Sequence, residues 1–143
     1  MFATMKFLHL NFLPRSADLA LLALRLWFGG AMLVLHGWGK LIGFSDLASK
    51  FPDPLGVGTK MSLALAVGGE VLCAALLVLG LFTRVAALGA ALTMATAFWF
   101  AHGAKLAGPG NGELAFIYLG AFIALFFAGG GRFSVDASMG AKG

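Results

Sequence analysis

Charge is scarce in this sequence: 11% of its 143 residues are Asp, Glu, Lys or Arg while 60% are apolar, whereas about a quarter of an ordinary soluble domain is charged. A single domain of this length has too small an interior to hide that much apolar side chain and too few charges to cover the outside. Water is therefore excluded as the only solvent. Cysteine is nearly absent, since Cys73 stands alone, and this rules out an internal disulfide, a CxxC redox pair and an all-thiolate metal site. No haem-ligation motif, iron–sulfur spacing or flavin fingerprint is present, so no intrinsic cofactor is indicated and any electron transfer needs a borrowed one. Clustered positive charge is missing as well. The net charge of +4 comes from ten Lys and Arg spread singly along the chain, and without a phosphate-neutralising patch nucleic-acid binding is not expected.

Long apolar runs are what the chain does have, with a mean hydropathy of +0.93. They cover residues 17–35, 61–82, 85–101 and 114–130, each near the ~17–25 residues needed to cross hydrocarbon. The expected fold is all-α, a four-helix transmembrane bundle forming a single membrane domain over residues 1–143. The N-terminal run resembles a signal peptide only superficially, because Arg25 lies inside it and no small-residue cleavage site follows, so it is read as a retained first helix. Thr83 and Arg84 are read as the whole link between the second and third spans, which makes these a tight antiparallel hairpin. Pro52, Pro54 and Gly56 mark the first loop, and Gly108, Pro109 and Gly110 the second. Lys6, Arg15, Arg84, Arg132 and Lys142 fall on the terminal side against Lys40, Lys50, Lys60 and Lys105 on the other. That bias favours cytoplasmic termini in a multi-pass protein of the inner (plasma) membrane. Small residues at packing intervals, Gly89 with Thr93 and Gly120 with Ala124 and Ala128, suit close helix packing.

The ionisable residues inside the spans are the candidate functional groups, because charge in lipid is costly and turns inward. Arg25 lies ten residues before Leu35 and Glu70 nine after Met61, which at about 1.5 Å per residue puts both ~13–15 Å from the face carrying the first loop. Equal depth predicts an Arg25–Glu70 ion pair, either a pin between two helices or the lining of a polar-ligand site. A second group, His36, Lys40, His102 and Glu113, gathers at that loop face. Arg25, Gly29, Met32 and His36 share one stripe of the first helix. Two histidines and a carboxylate can ligate a divalent metal, but their wide separation favours interfacial hydrogen bonding, and no metal is expected. The opposite face carries Arg84, Arg132 and Asp136, and there a helix stop with a local Arg132–Asp136 contact is expected. No catalytic residue is identifiable. Cys73, one turn beyond Glu70, is read as a packing residue.

These same residues carry a family likeness. Arg25 in the first span, the His36-Gly37-x-x-Lys40 exit, Gly68-Gly69-Glu70, the run Leu79 to Arg84, Glu113, and the ending Gly130 to Asp136 occur in an order and spacing that resembles the DoxX family of small bacterial four-helix membrane proteins. The likeness covers about Leu19 to Asp136. It implies a membrane subunit or anchor linked to thiosulfate:quinone oxidoreduction or to a membrane redox complex, with the lipid bilayer and a redox protein as partners, a bound quinone and room for an oligomer. A small transporter or channel, and a scaffold whose polar groups only fix packing, stay open beside it.

Overall fold

The computed structural model describes residues 7–140. Four helices carry the architecture: α1 (Ala17–Ile42), α2 (Thr59–Leu79), α3 (Thr83–Ala101) and α4 (Glu113–Ala128). Among the described residues every regular element is helical. The first three are long and apolar enough to span a membrane. The fourth, at 16 residues, is about 24 Å long against about 39 Å for α1. The outward surface is apolar, with Leu26, Trp27, Val34, Leu72, Leu92 and Phe127 all exposed. In this all-α membrane bundle lipid takes the place of water around them.

The helix ends explain where the expected spans shift. α1 starts where Ser16, extended at φ −140°, accepts a hydrogen bond from the Leu19 N–H, a side-chain N-cap. It then runs past Leu35 to Ile42, because nothing in His36 to Lys40 breaks a helix and the polar residues there need only leave the hydrocarbon. α2 stops at Gly80, whose φ of 70° is left-handed. Leu81 N–H to Leu76 O and Gly80 N–H to Leu77 O complete the paired 6→1 and 5→2 bonds of a Schellman cap. The hairpin turn is thus Gly80 to Phe82, and Thr83 and Arg84 open α3 instead of forming the link. Asp136 supplies the missing cap from far along the chain, accepting the N–H of Phe82 (2.7 Å) and of Thr83 (2.8 Å). Those contacts hold Phe82 at φ 48°, a conformation side chains seldom adopt.

Glycines set the register. A Cβ on Gly37 would overlap the Glu70 carbonyl oxygen, and one on Gly29 would sit 3.2 Å from Ala74 O, so the α1 and α2 backbones touch there. Gly69 meets Thr93 and Gly89 meets Cys73 in the same way between α2 and α3, matching the packing role expected of Gly89 and Thr93. Ala86, Ala87, Ala90 and Ala91 line the buried face of α3 against Phe122 and Leu125 of α4. Gly120, Ala124 and Ala128 differ from expectation: they face outward, because Tyr118, Phe122 and Leu125 fill the inner side of α4 instead.

Candidate functional site

The α1–α2 register separates the two residues expected to pair. Gly37, not Arg25, lies level with Glu70, and Arg25 is about 18 Å back along α1. The expected Arg25–Glu70 pair therefore does not form. Taking the apolar boundary at Leu35 as the helix end had placed the two residues at one depth, whereas α1 continues for another seven residues, to Ile42. Each of the two charges is instead the centre of its own cluster.

At the loop face, Glu70 Oε2 pairs with Lys40 Nζ at 2.5 Å, the side chains being 9% and 26% exposed. Lys40 lies four residues beyond His36 on the inner stripe of α1, and its ammonium also donates to the His36 carbonyl at 3.3 Å. Two π-helical stretches, Met32–Gly37 and Gly68–Cys73, carry His36 and Glu70. Such wider turns re-aim side chains and recur at functional sites. The His36 ring stands edge-on to Tyr118 at 5.6 Å, and Tyr118, which sequence reasoning missed, is 6% exposed and also meets Phe28 edge-on. The site thus gathers an ammonium, a carboxylate, an imidazole and a phenol at one end of an apolar bundle.

The other two members of the expected loop-face group are used differently. His102 Nδ1 lies 3.0 Å from Gly110 O, holding the α3–α4 loop, and Glu113 is exposed in the first turn of α4, where Asn111 Oδ1 accepts its N–H. Its charge favours that helix end. Among the described residues no three His, Cys, Asp or Glu side chains come together as a metal-ligand set. Asp53 organises the first loop by accepting from Val57 N–H, Gly58 N–H and Ser62 Oγ, and the Ser62 and Gly58 bonds lead in holding its carboxyl below the ordinary range.

At the terminal face, Arg25 is fully buried. Its Nη1 donates to Leu77 O (3.3 Å) and Val78 O (3.4 Å), carbonyls of the last turn of α2, the first of which also accepts the Gly80 N–H of the cap. Its Nη2 donates to Phe133 O at 2.7 Å. Arg25 is thereby a cap for α2 and a clamp on the segment after α4, and a Cβ on Gly80 would overlap its Nη1. Burial raises the Asp136 pKa, but the Thr83 and Phe82 N–H donors and the field of Arg25 more than reverse this, leaving it below the ordinary carboxylate value. Asp136 does not reach Arg132, because its carboxylate is taken by the start of α3. Arg132 lies over the Phe133 ring at 5.1 Å and donates its backbone N–H to Asp18. Arg84 donates Nε–H to Phe126 O at 2.9 Å and stacks on that ring.

The DoxX family model matches residues 20–103, which hold α1 but for its first three residues, α2, α3, the hairpin between them, and Arg25, His36, Lys40 and Glu70. The chain belongs to the DoxX family. It is also similar to an uncharacterized protein of Haemophilus influenzae (strain ATCC 51907 / DSM 11121 / KW20 / Rd), 37% identical over 113 residues that cover 73% of this chain and 80% of the relative. No solved structure matches the chain. The DoxX match stops short of α4, so Tyr118 and the ending at Asp136 lie beyond it.

Proposed function

We propose that this DoxX family member is a subunit or anchor of a quinone-linked oxidoreductase system in the plasma membrane. In this reading its loop-face site, Lys40, Glu70, His36 and Tyr118, receives a quinone head group. The observation that carries the proposal is the Lys40–Glu70 ion pair, one turn along α1 from a His36 ring that packs against Tyr118. Quinone reduction takes up two electrons and two protons, so a binding site needs donors for the ring oxygens and groups that hold protons. The residues fit that need. The Lys40 ammonium, the Tyr118 hydroxyl and a ring N–H of His36 are donors, and Glu70 and His36 can hold a proton. Arg25 is outside the site because two of its nitrogens are engaged by main-chain carbonyls. The chain carries no redox motif of its own, so electrons come from a docked partner protein.

Both termini are assigned to the cytoplasm. Lys6, Arg15, Arg84, Arg132 and Lys142 fall on that side against Lys40, Lys50, Lys60 and Lys105 on the other, and the side with the larger count is expected inside. Lys6 and Lys142 lie outside the described residues.

The test is mass spectrometry of an organic extract of the protein purified in mild detergent, scored for quinone against a control membrane protein. Near-stoichiometric quinone in the native chain, lost in Lys40→Met and Glu70→Gln variants that still melt cooperatively, is the expected result. Quinone no higher than in the control sinks the reading. Variants that lose only thermal stability point to a packing scaffold, and substrate flux in liposomes to a transporter.

A further inference from the structure

Three exposed guanidiniums share the terminal face, and among the described residues none of them forms an ion pair. Arg15, Arg84 and Arg132 stand at the start of α1, the start of α3 and the end of α4. The two acidic side chains among the described residues of that face are already committed: Asp18 accepts from the Arg132 N–H, and Asp136 from those of Phe82 and Thr83. Among the described residues Lys40–Glu70 is the one ion pair, and it lies at the other end of the bundle. Each guanidinium is also fixed in place. Arg15 Nη2 bonds Asn11 Oδ1 at 3.2 Å, Arg84 is held by Phe126 O and its ring, and Arg132 lies over Phe133. Every one of them keeps N–H groups to spare.

Exposed aromatic side chains neighbour these cations in the chain. Phe7, Phe12, Phe82 and Phe133 are exposed at 68%, 64%, 59% and 45%. Water alone does not suit a rim of exposed aromatics, and neither does pure hydrocarbon suit unpaired guanidiniums. The boundary between acyl chains and headgroups suits both.

We propose that the terminal face is a binding surface for anionic phospholipid. Headgroup phosphates take the spare N–H pairs of Arg84 and Arg132, whose planar forks match phosphate oxygens bidentately, with Arg15 adding charge. The phenylalanine rings enter the acyl boundary beneath. The surface is independent of the quinone reading, since the two clusters lie at opposite ends of the bundle.

The test reconstitutes the full chain in nanodiscs of equal phosphatidylglycerol and phosphatidylcholine and counts the lipids that stay bound by native mass spectrometry. Phosphatidylglycerol is expected to be retained preferentially, with each guanidinium removed lowering that preference about fivefold. Arg132→Gln is the primary variant because its guanidinium makes no hydrogen bond among the described residues, and an unchanged melt in neutral detergent checks its folding. Arg132→Lys keeps the charge without the fork and is expected to lose less. A Lys50→Gln, Lys60→Gln, Lys105→Gln triple variant on the loop side is expected to keep the full preference. The proposal is overturned if the native chain retains both lipids equally, if Arg132→Gln keeps the preference intact, or if the loop-side triple variant abolishes it.

Discussion

Replacing Arg25 by Met tests whether the buried guanidinium joins the end of α2 to the segment after α4. Met has similar length and no charge, so it fills the volume and removes the donors. The bond to Phe133 O at 2.7 Å is short and charge-assisted, which makes it worth about 2 kcal/mol, while the contacts to Leu77 O and Val78 O at 3.3 and 3.4 Å are long and together add about 1 kcal/mol. Phe133 O and Val78 O lose the guanidinium in a site that admits little water, Leu77 O keeps the Gly80 N–H, and the folded variant no longer has to desolvate a cation. A net loss of about 3 kcal/mol is expected, near the upper end of what single substitutions do. The assay is hydrogen exchange at the Asp136 amide, which bonds Gly80 O at 3.0 Å and so reports whether the segment is docked. If the loss falls on docking, that amide exchanges roughly a hundredfold faster in Arg25→Met, while amides in the middle of α3 change less. Equal protection in both proteins, or a loss spread evenly over all four helices, would refute the clamp.

Other substitutions read neighbouring parts of the fold. Asp136→Asn weakens a cap on α3 and is expected to cost about 1 kcal/mol near neutral pH. Because the folded Asp136 pKa is depressed, its contribution is complete above the unfolded value of about 3.9 and fades as pH falls through the folded one. The native chain should therefore lose stability below about pH 4 more steeply than Asp136→Asn, as thermal melts across pH would show. Gly37→Ala drives a Cβ into the Glu70 carbonyl and is expected to destabilise by about 2–3 kcal/mol. Gly39→Ala, two residues on with open space at its Cβ, is expected to be neutral or to stabilise by up to about 1 kcal/mol. Similar melting points for the two variants would contradict the α1–α2 contact.

The four helices were legible because lipid demands long apolar runs and this chain has four of them. What was not legible was register. Hydropathy marks where a helix meets the membrane surface, and α1 passes through that surface without ending, so a depth counted from Leu35 placed Arg25 opposite the wrong residue. The sequence did hold a signal: Lys40 extends the stripe of Arg25, Gly29, Met32 and His36 by one more turn, and Gly29 and Gly37 on α1 are spaced to let a neighbour approach. Asp136 was harder to place, since its partners are backbone N–H groups far away in the chain, at Phe82 and Thr83, and main-chain donors leave no mark in a sequence. Tyr118 escaped for a different reason. An aromatic residue within an apolar helix looks like packing until a histidine is found against its edge.

The unequal helices also affect the membrane. α4 has 16 residues and α1 has 26, so the bundle is tall on one side and low on the other. Much of that difference lies beyond Leu35, where α1 has already left the hydrocarbon, so the mismatch that lipids feel is the few ångströms by which α4 falls short of a ~30 Å core. A span that short is met by local thinning of the bilayer or by lipids that tilt beside α4, along the outward stripe of Gly120, Ala124 and Ala128.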